Sequence, residues 1–258
     1  MGETARPVTR PTVALFVTCL VDAMRPSIGF ASLSVLEDAG YDVVVPAGQT
    51  CCGQPAFNSG DRAGAEAIAK ATIACLEPYD AIVVPSGSCG GTIKVHYPEM
   101  FEHDPAWLAR AQAVADKTHE ILSFLHAAGW TPDGVTLPAT VAYHDSCSGL
   151  RELGIKRQPR AMLGAVAGLE QVPLAGAETC CGFGGTFCVK YPAISNAVVE
   201  EKAKAIEDSG ADLLLSGDLG CLMNMAGKLH RRGARTRVFH TVEVLAGMAD
   251  GPAIGEDA

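Results

Sequence analysis

The chain has 258 residues, 48% hydrophobic and 19% charged, the composition of a folded globular protein long enough for one large core or two small ones. Its net charge is −9, from 20 basic and 29 acidic residues, with no Lys/Arg cluster of the size that phosphates require. Those numbers argue against a nucleic-acid backbone or an anionic membrane surface as partner, because both attract concentrated positive charge.

In chain order, the first apolar run, residues 11–23 (PTVALFVTCLVDA), resembles a secretory core, but it is short, carries Asp22 and lacks a clean small-residue cleavage site. Arg6 stands where N-terminal acylation needs Ser or Thr, and no apolar stretch is long enough to span a bilayer. The expectation is a soluble, cytoplasmic protein. Residues 13–19 (VALFVTC) read as a strand leading to Cys19, followed by a helix over 27–40 and a strand over 41–46. A CCG loop at 51–53 precedes a helix over 61–77 and a strand over 81–85. One long helical stretch containing Trp107 and Leu122 is expected to run to Gly129, and Pro and Gly in residues 131–139 mark a linker.

The second half repeats this scheme. Strand 141–147 (VAYHDSC) is followed by a helix over 157–169, a strand over 169–174 and a second CCG loop at 180–182. A helix over 194–210, strand 212–217, a helix over 222–233, strand 236–240 and a last helix complete it. Apolar strands alternating with helices predict an α/β fold of two duplicated Rossmann-like domains, over 11–130 and 140–248, with parallel sheets covered by helices.

Ten cysteines in a reducing cytoplasm are not a disulfide framework and point to metal binding or catalysis. Cys75 alone suits simple packing, among the alanines and isoleucines of its helix. Eight others follow a repeat: Cys19, Cys51, Cys52 and Cys89 in the first half, and Cys147, Cys180, Cys181 and Cys221 in the second. The spacings are 32 and 33 residues before the pair and 37 and 40 after it, and the repeat of about half the chain exceeds any solenoid unit. The four single cysteines stand where strands end, the place where open α/β sheets hold ligands. Adjacent side chains point opposite ways along a strand, so each Cys–Cys pair belongs to a loop. Gly53 and Gly182 let those loops turn or approach a ligand closely.

Three chemistries compete for four thiols at one point. Zinc accepts four thiolates, but structural zinc sites usually use C-x2-C knuckles, and this chain has none. An iron–sulfur cluster is also held by four cysteines, and adjacent cysteines suit two metal atoms of one cluster. A vicinal disulfide would leave Cys19, Cys89 and their counterparts unexplained.

The spacing from Cys19 through Cys51–Cys52–Gly53 to Ser88–Cys89, with FVTCLVDA, CCGQPAFNSG, YHDSC, ETCCGFGGTF and VFHTVEVL, resembles the cysteine-rich CCG-domain family. Over residues 12–247 it is most similar to the lactate utilisation protein A group, with the cysteine-rich component of heterodisulfide reductase and the iron–sulfur component of glycolate oxidase as kin. The resemblance implies an iron–sulfur redox component of a complex oxidising L-lactate to pyruvate, a small 2-hydroxy acid substrate, and two partners: a ferredoxin-like iron–sulfur subunit and a third small subunit. In heterodisulfide reductase the motif has a fifth cysteine per site, which holds a non-cubane cluster. Ser86 and Asp218 stand at that position here, as candidate oxygen ligands, hydrogen-bond partners or, for Ser86, a helix cap. Four cysteines per half leave a [4Fe-4S] cluster, a smaller cluster, or zinc in one half. The alternatives to a lactate-oxidising electron carrier are a zinc-stabilised assembly subunit and a heterodisulfide-reductase-like thiol–disulfide oxidoreductase.

Four other residues are candidates for roles around the cysteines. His144, three residues before Cys147, is placed to move a proton or to hydrogen-bond a cluster sulfur, and its counterpart in the first half is Phe16. His240 stands similarly on the last strand. Arg151 and Lys190 are candidate partners for a substrate carboxylate. Cys188 lies outside the duplication, matched by Ser59, and reads as a packed or exposed thiol. The run GFGG at 182–185 is not a dinucleotide loop, because Phe187 stands where the third glycine is needed and no strand precedes it.

Overall fold

The computed structural model describes residues 10–256; Arg6, used above against acylation, lies outside them. The first half runs β1 (Thr12–Leu15), α1 (Cys19–Met24), α2 (Pro26–Asp38), β2 (Asp42–Val44), α3 (Gln54–Asn58), α4 (Arg62–Leu76) and β3 (Ile82–Val84). It continues through α5 (Gly87–Gly91), a π-helical turn (Thr92–His96), α6 (Tyr97–Met100), α7 (Pro105–Asp116), β4 (Thr118–Glu120) and α8 (Ile121–Ala127). The second half is β5 (Thr136–Tyr143), α9 (Cys147–Arg151), α10 (Arg157–Leu163), β6 (Ala167–Gln171), α11 (Phe187–Lys190), α12 (Pro192–Asp208), β7 (Leu213–Ser216), α13 (Leu219–Arg232), β8 (Arg237–His240) and α14 (Thr241–Leu245). Among the described residues no helix is long and apolar enough to cross a membrane.

The strands form two four-stranded sheets, β2-β1-β3-β4 and β6-β5-β7-β8, and every pairing is parallel. The identical order bears out the α/β expectation and the duplication. In each sheet the chain leaves the first strand in one direction and returns on its other side, so a crevice opens beyond the carboxyl ends of the two central strands.

Local chemistry explains most element ends. Asp61 caps α4 by accepting from the Gly64 amide at 3.0 Å, and Asp104 caps α7 by accepting from the Trp107 amide at 3.3 Å. Pro26, Pro105 and Pro192 occupy first turns, where a missing N–H costs nothing.

Three sequence expectations fail here. The long helical stretch to Gly129 is broken: α5 passes through a π-turn, Asp104 and Pro105 restart a helix, and β4 follows. The strand Thr-His-Glu carries no apolar run, yet it completes the first sheet with Thr118 and Glu120 buried. β5 begins at Thr136, inside the expected linker, and its first residues alternate exposed and half-buried before burial begins at Val141. The helix expected over 157–169 stops at Leu163, and β6 forms two residues before the expected start of its strand.

Alternation along β1 sends its side chains to two cores. Ala14 and Phe16 join Ile82, Ile73 and Tyr97 in a cluster confined to the first half. Val13 and Leu15 face the other way, into a core that runs on through Ile28 and Leu122 to Val141, Leu214 and Phe239 of the second half. The two halves therefore share one hydrophobic interior. The fully buried Glu243 adds a polar tie between them: it accepts from Arg25 Nε at 2.9 Å, Ser27 Oγ at 2.6 Å and the His240 amide at 2.9 Å.

Candidate metal centre

The eight repeated cysteines gather at the carboxyl ends of the central strands. Cys19 opens α1 after β1, and Cys89 lies in α5 after β3; Cys147 opens α9 after β5, and Cys221 lies in the first turn of α13 after β7. The two Cys–Cys pairs enter from loops. Gly53 and Gly182 adopt φ of 86° and 84°, so each loop turns through a backbone conformation that other residues rarely hold.

Each pair is held by its carbonyls. Tyr97 Oη donates to the Cys52 carbonyl at 2.8 Å, and Asn224 Nδ2 donates to the Cys181 carbonyl at 2.8 Å. Backbone amides turn inward on the sulfurs: Gly53 N to Cys51 Sγ at 3.4 Å and Gly182 N to Cys180 Sγ at 3.3 Å. Neither Tyr97 nor Asn224 is visible in the cysteine spacing, because both come from helices whose packing is set by tertiary structure.

In the first half the Cys52 and Cys89 Sγ atoms are 3.4 Å apart. The Cys19 and Cys52 thiols hold Cys51 far below the ordinary thiol range, and Cys147 and Cys181 do the same to Cys180. The partners move the other way. Hydrogen bonding to Cys51 and burial raise Cys19 and Cys52, and the same causes centred on Cys180 raise Cys147 and Cys181. The first cysteine of each pair is thus the sulfur of its set most readily deprotonated for ligation. This donor set fits a four-thiolate cluster or a tetrahedral ion.

Each set lines a cavity where the two halves meet. A cavity of about 230 Å³ has Cys19, Cys51, Cys52 and Cys89 on one wall and Phe183 and Asp218 on the other. A second, of about 150 Å³, is lined by the four second-half cysteines and by Gln54 and Ser88 of the first half. A third, of about 520 Å³, opens from Cys19 and Cys51 toward Asp22 and Gln49. Among the described residues no Lys or Arg lines any of the three. The helices carrying Cys89 and Cys147 meet at Gly87 and Gly149, where a Cβ on Gly87 would lie 2.9 Å from the Gly149 Cα.

Ser86 and Asp218 meet in this interface. Ser86 Oγ donates to Asp218 Oδ2 at 3.3 Å, the Ser88 amide donates to the same oxygen at 2.9 Å, and the Cys89 amide donates to Ser86 Oγ at 3.3 Å. Ser86 Oγ and Asp218 Oδ2 are thus engaged with each other and with the α5 backbone, while Asp218 lines both cavities.

His144 is fully buried behind the second set. A ring nitrogen lies within 4.8 Å of the Cys181 and Cys221 sulfurs, which are as close to one another. Nδ1 is 3.1 Å from the Ala177 carbonyl, and Nε2 has no partner. Burial pushes its imidazole down to about 4, so it is neutral at pH 7. It is not among the residues lining the two cavities between the halves. Lys202, also buried, donates Nζ to the Gly176 carbonyl and places a cation near the same thiols.

The other candidates stand apart. His240 is a helix cap, its Nδ1 accepting from the Val242 amide at 3.2 Å. Arg151 and Lys190 are exposed, although the Arg151 charge is felt at Cys147. Cys188 bonds the Gly185 carbonyl of its own loop at 3.3 Å. Cys75 is half-buried, not fully buried as its helix pattern suggests.

The family model described as "Cysteine-rich domain" (CCG) matches residues 13–94 and 141–226, the two halves. The chain is 48% identical to lactate utilization protein A of Exiguobacterium sp., over 91% of this chain and 97% of the relative. It is 45% identical to the protein of the same name from Bacillus velezensis and 43% identical to that from Bacillus subtilis, each over 90% of this chain and 98% of the relative.

Proposed function

The chain belongs to the CCG cysteine-rich family, within the lactate utilisation protein A group, and on that premise we propose that it is an iron–sulfur redox subunit of a complex oxidising L-lactate to pyruvate. The observation that carries the reading is the pair of four-cysteine sets, each lining a cavity where the halves meet, with each pair loop turned by glycine and the first sulfur of each pair accepting from a backbone amide. Cys19, Cys51, Cys52 and Cys89 would hold one cluster, [4Fe-4S] by ligand count, and Cys147, Cys180, Cys181 and Cys221 the other. When bound, the clusters supply acceptance of electrons one at a time.

The chain's own residues then do three things. The Gly53 and Gly182 amides stabilise thiolate charge, the Tyr97 and Asn224 bonds fix the loops, and the Ser86–Asp218 contact sets one site against the other. Cys19 and Cys180 are exposed, which gives each site a sulfur at the rim for exchange of electrons with a partner. The cavities reaching the cysteines lack a Lys or Arg for the lactate carboxylate, so substrate binding is assigned to residues shared with partner subunits, a ferredoxin-like iron–sulfur protein and a third small subunit.

The test is lactate oxidation by the assembled subunits. Cys51→Ser and Cys180→Ser are each expected to abolish it while the other subunits stay bound; full activity in both variants would refute the reading. A zinc-stabilised assembly subunit is the second reading, favoured by one observation: the nitrogen of His144 beside two thiols is a donor mixture zinc accepts.

A further inference from the structure

The two sites are built by one repeat but differ behind the cysteines. At the first, the strand ends in Phe16, buried and apolar. At the second, the equivalent residue is His144. Its Nδ1–H is committed to the Ala177 carbonyl at 3.1 Å, which fixes the tautomer and leaves the lone pair on Nε2. That nitrogen is buried without a partner, and leaving such an acceptor unsatisfied costs about 1–3 kcal/mol. The ring lies within 4.8 Å of both Cys181 and Cys221 Sγ, a span close to twice a metal–sulfur bond of about 2.3 Å. Metal-bound histidines characteristically give their other N–H to a carbonyl or carboxylate, as His144 does here.

We propose that His144 is a ligand of the second centre through Nε2, so that the duplicated sites are unequal: sulfur alone in the first, sulfur and nitrogen in the second. Coordination uses the Nε2 lone pair and leaves the Nδ1 proton where it is, so no proton is released by this ligand. The inference rests on the second cysteine set being a metal centre, but not on the metal being iron.

Pulsed electron paramagnetic resonance of the reduced iron form, prepared with 15N-histidine, tests it on the unaltered chain. The expected result is a coupling from a directly bound imidazole nitrogen. That coupling disappears in His144→Phe, which copies the first site, while iron at the first site is retained. Only weak couplings typical of distant nitrogens, or a strong coupling unchanged in the variant, would overturn the proposal. If the chain takes up no iron, the electron-carrier reading falls and Co2+ becomes the probe. Cobalt affinity at the second site is then expected to drop at least tenfold in His144→Phe, with the first site unchanged. Equal affinity would overturn the ligand assignment by itself. Should the variant fail to fold, the labelled unaltered protein still decides the question.

Discussion

Cys51 and Cys180 occupy equivalent places, and each sulfur accepts a hydrogen bond from the glycine amide two residues on. Removing either sulfur takes away the thiolate around which its set is organised. Cys51→Ser is expected to lose about half of the bound metal, whereas Cys188→Ser, whose sulfur bonds its own loop, keeps all of it; metal analysis of both variants checks the contrast. Glu120 gives a pH prediction. It is buried, Oε2 accepts from the Ser123 amide at 3.0 Å, Oε1 has no partner, and burial pushes its carboxyl up to about 7. In the unfolded chain a glutamate ionises near pH ~4.3. The folded form thus keeps a proton that the unfolded form loses, and this contribution to stability is complete below that point and declines as pH rises through about 7. The loss amounts to roughly 4 kcal/mol by pH 8. Glu120→Gln should flatten that slope in urea denaturation measured from pH 5 to 8; an unchanged slope would contradict the assignment.

At the scale of elements, the loop turned by Gly182 is the most constrained. A Cβ there would meet the Ser195 carbonyl oxygen at 2.8 Å, in addition to the penalty for φ of 84°. Gly182→Ala is expected to cost about 1–3 kcal/mol and to weaken metal retention at the second site, read by thermal melting and metal analysis. The positions of the glycine, the pair and the single cysteines after each central strand were legible in the sequence, because the same residue types recur at matching spacings in the two halves. The repeated parallel βα scheme was legible too, through apolar runs such as Ile82–Val84 and Leu213–Ser216. β4 was not, since Thr118, His119 and Glu120 form a strand only because β3 offers its free edge. Nor was the Ser86–Asp218 contact, which joins residues 132 positions apart and depends on how the halves meet.

For the whole molecule, the shared core means that the two sites are held at one fixed relation. Glu243 secures that relation by pairing with Arg25 and Ser27 of the other half. Glu243→Ala is expected to destabilise the protein by roughly 2–4 kcal/mol, less than for a fully buried pair because Arg25 keeps some contact with water. Differential scanning calorimetry should show one lowered transition for both halves, whereas two separate transitions would contradict a single core. Two proposed centres in one rigid interior give this arrangement its proposed purpose, since electrons pass between centres only if both are filled and their separation is maintained. The most direct measurement is therefore the iron, zinc and acid-labile sulfide content of the chain purified without oxygen, read beside its visible absorbance. Iron and sulfide in matching amounts, near two clusters per chain, are the result this account predicts. Zinc alone, or no metal even after cluster reconstitution, would contradict it.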